Sequence, residues 1–534
     1  MYDTIIVGAG SAGCVLAGRL SEDPDRRILL LEAGGPPPLA SRIPSDWTTM
    51  FDTSVDWGYH TERQPGCRGR RIFWPRGRMV GGSGALNAMI YMRGLPSDYD
   101  GWEAMGCPGW GWRDVLPGFV GFERNRRLGN DPLHGADGPL DVEDPSHTDE
   151  GEHLWLAAAM AAGHARNPDF NGASQAGVGF FQTTTRHGER FGTGKAYLEP
   201  ALARPGLTVA TGVLTTRILV ENGRAVGVEY LRGGRPQVAY AASEVILSAG
   251  AIASPHLLML SGIGPADELR AVGVAPVHDL PGVGKSLQDH PNVVISFAAN
   301  RPIGWGKMNE ADLDQTMEEW TRSRTGPRTS NWVSAGGHVR SRPEVEPDIQ
   351  LYGVASAHRD YSRFLHHGSG FSLYATLQRP ESRGEIRLRS ADPLEAPAID
   401  PRYFSSDPTG RDLSTLVEGV KINREIAATS PLKDVIDREL TPSAECRTDA
   451  EIAWHVRGHC TSLYHPSSTC RMGTDEEAVV DPRTFAVRGL DGLHVADASV
   501  FPRMISANLN ATVILVAERA AEVLGSGRNG GEAG

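Results

Sequence analysis

The chain has 534 residues, of which 40% are hydrophobic and 22% are charged, as in an ordinary globular protein. This length exceeds what one simple core organises and predicts two to four domains. The net charge of −12 gives no support for nucleic acid or an anionic membrane surface as a partner, and no apolar run approaches the length of a membrane span.

The six cysteines are too few, in a chain of this length, for a disulfide scaffold, and none forms a CxxC pair. The first predicted strand begins at the N-terminus, so we expect no signal peptide. These features predict a reducing compartment, the cytoplasm. His459, Cys460, His465 and Cys470 lack the spacing of a metal site, and we expect no metal.

The chain opens with the pattern of a dinucleotide-binding unit. Residues 4–7 form a short apolar run rich in β-branched residues, which is typical of a buried parallel strand. The sequence GAGSAG follows at residues 8–13, and a helical stretch at 14–20 leads to a second apolar run at 28–31. A strand, a glycine turn, a helix and a strand in this order predict a bound dinucleotide.

Each glycine of this turn has a physical reason. Gly8 permits the tight turn, Gly10 lets a pyrophosphate approach the backbone, and Gly13 lets the helix pack on the strand. The first turn of the helix offers N–H groups and a positive dipole end to the phosphates. Glu32 ends the second strand and is placed to accept hydrogen bonds from a ribose. An acid at this point argues against a 2′-phosphate, so FAD and NAD remain open.

Further along the chain, glycines are dense between residues 81 and 87, which lets a backbone lie flat against a ligand. Residues 207–209 and 216–231 alternate like antiparallel strands, with Asn222-Gly223 as a hairpin turn. Residues 244–248 form another buried strand, and the small residues that follow it suggest a second close approach to the cofactor.

From about residue 291 to residue 449 the composition changes, and charged helical stretches alternate with β-rich ones. We interpret this part as a second region that covers the cofactor and shapes a pocket. His290 precedes it, and of two interpretations, a neighbour of the cofactor and a solvated loop histidine, we expect the second. Residues 493–499 predict a strand that ends in Asp497, and residues 512–524 predict an amphipathic helix.

The sequence resembles the glucose–methanol–choline (GMC) oxidoreductases, and in particular their choline-dehydrogenase-like bacterial branch. Four separated stretches carry the resemblance along almost the whole chain. They are the N-terminal fingerprint ending in Glu32-Ala33-Gly34, GGSGALN at residues 81–87, GAIASPHLLMLSGIG at residues 250–264, and YHPSSTCRMG at residues 464–473 together with Asp497-Ala498-Ser499 and residues 508–512.

The resemblance implies the GMC fold, in which a Rossmann-like FAD-binding domain carries a second, substrate-binding domain built on an antiparallel sheet. It implies FAD-dependent oxidation of an alcohol CH–OH group to an aldehyde or ketone. The implied domain segments are residues 1–100, 190–290 and 460–525 for FAD, residues 101–189 and 291–459 for the substrate-binding domain and cap, and residues 526–534 for a disordered tail.

The resemblance also implies the residues of the site. The catalytic histidine of the family falls on His465, and its second polar catalytic residue falls on Asn510, although the neighbouring Asn508 leaves this choice open. The implied FAD contacts are Gly8, Gly10, Ser11, Gly13, Glu32, Gly82, Asn87, Val213, Asp497, Ala498 and Asn508.

Three departures from the family pattern bear on function. Gly84 stands where the first signature usually has Ser. Leu86 stands where members with a histidine-linked flavin carry that histidine, so we expect non-covalent FAD. Choline-specific members place an acid near a Gly-Gly pair that aligns with residues 336–337, and here Ser334 stands in its place. A quaternary ammonium ion would lack its counter-charge.

Alcohol oxidation removes a proton from the hydroxyl oxygen and a hydride from the adjacent carbon. A neutral imidazole at His465 suits the proton, and an amide at Asn510 would donate a hydrogen bond to the developing alkoxide. The expected partners are a small-molecule alcohol and an electron acceptor, either O₂ or a quinone or other carrier. The alternative on the same fold is a lyase resembling hydroxynitrile lyases, in which the flavin has no redox role.

Overall fold

The computed structural model describes residues 1–360, 364–365 and 368–526. Residues 527–534, almost all of the predicted disordered tail, lie outside this part, and Ser526 is the last residue of the helix Asn510–Ser526. Within the described ranges, no helix combines the length and the apolar character needed to cross a membrane.

A first sheet is built around parallel strands and contains seven strands among the described residues. Its parallel strands in spatial order are Leu207–Ala210, Ile28–Leu31, Tyr2–Val7, Arg235–Leu247 and Leu493–Val495. The N-terminal part of Arg235–Leu247 also pairs antiparallel with Arg224–Arg232, which pairs with Val213–Glu221. Ile6 pairs with Leu30 and Ile246, and none of the three is exposed, as expected for strands covered on both faces.

Two predictions about this sheet have different outcomes. The hairpin at Asn222-Gly223 is confirmed, because both residues have positive φ and join the strands Val213–Glu221 and Arg224–Arg232. The antiparallel orientation of residues 207–209 is wrong, because Leu207–Ala210 runs parallel to Ile28–Leu31. This strand lies at the edge of the sheet, so its two middle residues are partly exposed, whereas its neighbour Ile28–Leu31 is buried throughout.

The predicted second sheet is antiparallel throughout, with seven strands in the described part of the chain. Its strands in spatial order are Ile436–Thr441, Pro291–Ala299, Gly370–Leu377, Ile349–Val354, Ala335–Val339 and Gly177–Phe180, with Thr461–Ser462 also paired to Pro291–Ala299. The antiparallel sheet in the second domain is therefore confirmed.

Helices and short strand pairs complete the fold. The α-helices are Ser11–Leu20, Leu39–Arg42, Pro96–Ala104, Trp112–Phe122, Glu150–Ala161, Glu199–Ala201, Gly250–Leu260, Ala266–Ala271, Glu310–Ser323, Arg411–Ala427, Asp449–His459 and Asn510–Ser526. The short pairs are Tyr59–His60 with Phe73–Trp74, Glu123–Asn125 with Leu140–Val142, Thr185–Arg186 with Glu189–Arg190, Ile263–Gly264 with His278–Asp279, His358–Asp360 with Phe364–Leu365, and Glu385–Arg387 with Ala398–Asp400.

The chain returns from the second sheet to the first through a short junction. Thr461 pairs with Asn292 and Ser462 with Pro291, and the N–H of Leu463 donates to the carbonyl of His290 at 2.9 Å. The predicted FAD-binding segment 460–525 thus contributes one short strand to the second sheet. The domain boundaries stay a prediction, which we propose without change.

The packing of the first helix on the first strand leads to a prediction about stability. A Cβ atom at Gly13 would lie 1.8 Å from the carbonyl oxygen of Gly8, which neither backbone can accommodate without a shift. We expect Gly13→Ala to lower the free energy of unfolding by about 1–3 kcal/mol, measured from the denaturant midpoint. The control is Gly101→Ala in the helix Pro96–Ala104, where an added Cβ meets nothing within 4 Å. Equal stability of the two variants would contradict this account.

Candidate active site

The turn at residues 8–13 joins the strand Tyr2–Val7 to the helix Ser11–Leu20. Gly8 has a φ of +97°, a conformation that favours glycine, and its N–H donates to the Leu31 carbonyl at 2.8 Å. The helix has Gly10 as its N-cap, so no N-cap side chain occupies the N–H groups of its first turn. These groups and the helix dipole remain available to an anion such as a pyrophosphate.

Glu32 follows the strand Ile28–Leu31, which neighbours Tyr2–Val7, and bonds to the turn at residues 8–13. Its two carboxylate oxygens accept the N–H groups of Ala9, at 2.9 Å, and Gly34, at 2.8 Å. Burial raises the pKa of Glu32, and these backbone bonds oppose the rise. Each oxygen keeps a further lone pair, which suits the predicted bond from a ribose hydroxyl.

Asp497 follows the strand Leu493–Val495 and, like Glu32, accepts backbone N–H groups. Its Oδ2 accepts the N–H of Gly250 at 2.8 Å and the hydroxyl of Ser254 at 2.6 Å, and its Oδ1 accepts the N–H of Ser499 at 2.8 Å. The carboxylate therefore holds the start of the helix Gly250–Leu260 beside the nucleotide turn.

The glycine-rich stretch 81–87 packs directly against the turn at residues 8–13. A Cβ on Gly82, which has a φ of +51°, would lie 2.7 Å from the Cα of Gly10. A Cβ on Gly84 would lie 2.5 Å from the hydroxyl oxygen of Ser11, so the serine that is usual at this position does not fit here without a shift. Asn87 is held by Arg190, whose guanidinium donates to the Asn87 side-chain oxygen at 2.8 Å.

One continuous cavity of about 450 Å³ connects these elements. Of the thirteen residues that the sequence predicts for the site, twelve line it, and Gly13 instead packs against Gly8. The lining predicted residues are Gly8, Gly10, Ser11, Glu32, Gly82, Asn87, Val213, His465, Asp497, Ala498, Asn508 and Asn510. The uncapped helix start, the glycines and the acid at Glu32 fit FAD. Leu86 also lines the cavity, and the non-covalent attachment of FAD stays a prediction.

Two histidines meet at the junction between the sheets. Nδ1 of His290 lies 2.9 Å from Nδ1 of His465, and Nε2 of His290 lies 3.0 Å from the Ile505 carbonyl oxygen. His290 is fully buried, whereas His465 is half-buried and lines the cavity. The expectation of a solvated loop histidine at His290 is wrong, because the pairing of the next two residues with Thr461–Ser462 draws it inside.

Burial keeps both imidazoles uncharged. It lowers the pKa of His290 to about 4 and the pKa of His465 well below its usual value. The neighbouring ring of His290 and the guanidinium of Arg76 lower the pKa of His465 further. Each ring therefore holds one proton and one lone pair at neutral pH.

Asp289 fixes the backbone that carries His465. One carboxylate oxygen accepts the N–H of His465 at 2.7 Å, and the other accepts the hydroxyl groups of Ser462 and Tyr403. The guanidinium of Arg76 donates to the Tyr464 carbonyl. Tyr464 has a φ of +65°, a strained conformation that these bonds hold in place.

The two asparagines that line the cavity have different hydrogen-bond partners. The side-chain oxygen of Asn510 accepts the Ser11 hydroxyl at 2.7 Å, at the start of the helix that faces the dinucleotide. The side-chain oxygen of Asn508 accepts the amide of Gln350 at 3.0 Å, and its amide nitrogen donates to the Tyr352 hydroxyl at 3.4 Å. Asn510 is thus engaged at the cofactor end, and Asn508 lies with residues of the second sheet.

The end of the cavity beside His465 is largely aromatic. Its lining includes Trp47, Phe51 and Tyr464, and the rings of Phe51 and Tyr464 meet edge-on at 5.8 Å. The carboxylates that line the cavity, among the residues the structure describes, are Glu32, Asp497 and the exposed Glu395. Glu32 is bound to the nucleotide turn and Asp497 to the start of the helix Gly250–Leu260, and Glu395 lies in the hairpin that packs on the same helix.

Sequence reasoning missed Arg76, Asp289 and His290. Arginines are mostly exposed and histidines are intermediate, and a single sequence does not show that the pairing of residues 291 and 292 with residues 461 and 462 buries His290. Asp289 and His290 could have been found from their position directly before a predicted β-rich region. Connections at the ends of strands often carry functional side chains.

The chain was compared with known families and proteins. Two models described as GMC oxidoreductase match residues 2–292 and 380–517. The alcohol dehydrogenase [acceptor] of Pseudomonas putida is 41% identical over 98% of this chain and 96% of its own length. The mitochondrial choline dehydrogenase of Homo sapiens is 42% identical over 98% of this chain and 89% of its own length.

Solved structures agree with these matches. Pyridoxine 4-oxidase from Mesorbium loti superposes with a TM-score of 0.87 at 33% identity, covering 98% of this chain and 99% of its own. A formate oxidase superposes with a TM-score of 0.90 at 25% identity, covering 99% and 98%. The resemblance noted in the sequence and the predicted fold are confirmed, and this chain is a member of the GMC oxidoreductase family, a flavoprotein that uses FAD to oxidise CH–OH groups.

Proposed function

We propose that His465 removes the hydroxyl proton of an alcohol substrate bound at the aromatic end of the cavity. When bound, FAD supplies the hydride acceptor, which is its own chemistry. The observation that carries the proposal is a neutral imidazole, held by Asp289 and His290, that lines the same cavity as the nucleotide turn. A positioned base of this kind contributes about 10²–10⁴ in rate.

The depressed pKa of His465 sets the pH at which this base works. A histidine is a base only when it is unprotonated, and a lowered pKa keeps it so at every pH above that value. The charged groups around the ring are Arg76, which disfavours protonation, and Asp289, whose oxygens are occupied by other donors. The loss of activity in acid therefore lies below the usual pKa of histidine, about 6.5.

We propose Asn508, rather than Asn510, as the group that donates a hydrogen bond to the substrate oxygen. The Asn508 amide faces Tyr352, which lines the cavity, and its orientation is set by Gln350 from the second sheet. Asn510 is already committed to Ser11 at the dinucleotide end. An amide donor aimed at a developing alkoxide stabilises charge where it forms. Asn510 then belongs to the cofactor contacts.

We propose an uncharged alcohol as the substrate. Arg76 is the charged group that acts on the His465 ring, and Ser334 gives its hydroxyl to the buried Glu152 at 2.8 Å and offers no carboxylate to the cavity. Choline is the second candidate, because the relative from Homo sapiens is a choline dehydrogenase and aromatic rings attract quaternary ammonium ions. Choline is disfavoured because its cation would lie near the Arg76 guanidinium without a carboxylate to pair with it.

The remaining alternatives differ in support. The relatives compared are dehydrogenases and oxidases, and they give no support to the lyase alternative. For the electron acceptor we keep both O₂ and a quinone or other carrier, which oxygen uptake measured beside reduction of an artificial dye separates. We keep the cytoplasm as the proposed compartment, since all six cysteines are free thiols.

Replacing His465 tests the base. His465→Gln should retain FAD but slow the reduction of the flavin by substrate at least about 100-fold, because no group of suitable pKa replaces the imidazole. Stopped-flow absorbance of the flavin measures this rate, and in the wild type we expect it to stay constant above about pH 6.5. Reduction of the variant at the wild-type rate would remove His465 from the mechanism.

The two asparagines form a matched pair of variants. Asn508→Ala should slow flavin reduction about 100-fold with FAD content unchanged, the size expected for loss of one oxyanion donor. Asn510→Ala should weaken FAD retention, measured by absorbance after gel filtration, more than it slows reduction in the FAD-loaded fraction. The opposite assignment of the two effects would return the catalytic role to Asn510.

A pair of equally shaped substrates tests the preference for an uncharged alcohol. Choline and 3,3-dimethylbutan-1-ol differ only in the charge of the quaternary centre. We expect kcat/KM with a dye acceptor to be at least about tenfold higher for the uncharged alcohol, because the cation loses its water without gaining a carboxylate. A higher value for choline would establish choline as the substrate class.

A further inference from the structure

The contacts of His290 determine which of its nitrogens carries the proton. Its Nε2 faces the Ile505 carbonyl oxygen at 3.0 Å, and the Gln378 carbonyl is a further backbone acceptor for this ring. A carbonyl only accepts hydrogen bonds, so Nε2 of His290 must be the N–H donor. A neutral imidazole has one N–H, and Nδ1 of His290 is therefore a lone pair.

The proton position on His290 determines the proton position on His465. Nδ1 of His465 lies 2.9 Å from the Nδ1 lone pair of His290, a hydrogen-bond distance. Two lone pairs at this distance would repel, so Nδ1 of His465 must carry the hydrogen. Its Nε2 is then the unprotonated nitrogen, which is the one a general base requires.

The surroundings keep this arrangement in one proton state. His290 is fully buried, and the groups that face the pair are the cationic Arg76, the neutral His338 and the engaged Asp289. A proton added to the His465 ring would be disfavoured by Arg76, and a proton added to Nδ1 of His290 would remove its acceptor role. No competing donor to that Nδ1 occurs among the contacts of the described residues.

The position of His290 depends on the second sheet. The next two residues pair with Ser462 and Thr461, and the His290 carbonyl accepts the N–H of Leu463 at 2.9 Å. Both rings are thus carried by the ends of the same strand pair. This leaves little freedom for the distance between them.

We propose that His290 is a positioning residue that holds His465 in the tautomer with the hydrogen on Nδ1, so that the Nε2 lone pair of His465 faces the substrate hydroxyl. This inference rests on the proposed function of His465 as the base. His290 itself touches neither substrate nor cofactor and acts only through the ring that it orients.

Two substitutions of nearly equal shape separate the hydrogen bond from packing. Asparagine at position 290 places an amide oxygen close to the place of the Nδ1 lone pair, whereas leucine removes the acceptor. We expect His290→Leu to lower the limiting rate of flavin reduction about 10- to 100-fold, the size of effect known from removing the hydrogen-bond partner of a metal-ligating histidine. His290→Asn should recover the rate to within about threefold of the wild type.

The substrate dissociation constant from the same stopped-flow series should stay within about twofold in both variants, since His290 does not line the cavity. FAD content and melting temperature serve as folding controls. Equal rates in the leucine and asparagine variants, whether both fast or both slow, would overturn the proposal, because packing alone would then account for the effect of position 290.

The tautomer can also be observed without turnover. In the FAD-bound wild type labelled with ¹⁵N-histidine, the signals of His465 are identified as those lost in His465→Gln. We expect the proton on Nδ1 in the wild type and in His290→Asn, and a mixture of tautomers in His290→Leu. A proton on Nε2 of His465 in the wild type would overturn the inference even if the leucine variant failed to fold.

Different results would remove the base and the positioning residue. Normal flavin reduction in His465→Gln removes the base and with it the role of His290. Slow reduction in His465→Gln, together with a tautomer in His290→Leu that matches the wild type, removes only the role of His290.

Discussion

Two residue pairs of a β-ladder, Pro291 with Ser462 and Asn292 with Thr461, hold the candidate active site together. They end a strand of the second sheet against the segment that returns to the first sheet. His290 lies one residue before this ladder, and His465 lies three residues after it. The ladder brings His465 into contact with Asp289 and His290, which are about 175 residues away in sequence. The catalytic end of the cavity is therefore a property of the junction between the sheets.

The rest of the cavity is held by carboxylates that lie close to strand ends and accept backbone N–H groups. Glu32 holds the nucleotide turn, Asp497 holds the start of a helix, and Asp289 holds the backbone of His465. A buried carboxylate is stable only when its oxygens are occupied by donors, so each of them fixes the loop that supplies those donors. The outcome is a rigid cradle assembled from segments far apart in sequence, which suits a large cofactor and a base that must not move.

The electrostatics of the catalytic end follow from what is buried there. Two imidazoles and one guanidinium share a small volume, and burial makes charge on the imidazoles unfavourable. Arg76 remains the single cation of this group, with Asp289 as a nearby counter-charge. A neutral histidine is a better proton acceptor than a charged one, so the arrangement that lowers the pKa also prepares the base. The same cation is the reason for proposing an uncharged alcohol and not a quaternary ammonium ion as the substrate.

The sequence by itself determined the features that depend on a few consecutive residues. The strand, glycine turn and helix at the N-terminus, the acid at Glu32, the hairpin at Asn222-Gly223 and the motif around His465 all express backbone preferences or side chains that are local. The resemblance to a family extended these features to FAD and to CH–OH oxidation, and the family matches agree. The hydrophobic pattern also indicated the β-rich second region, although it did not specify how its strands pair.

Only the tertiary structure decided the points that depend on distant pairing. It placed Leu207–Ala210 parallel to Ile28–Leu31, it buried His290 against a histidine 175 residues away, and it joined Asn510 to Ser11 across 499 residues. Hydrophobic periodicity indicates which residues of a segment are buried, but it does not identify the segment that packs against them. The direction of a strand, the burial of a loop histidine and the different hydrogen-bond partners of Asn508 and Asn510 all depend on which segments pack together. They become visible only once the two sheets are assembled.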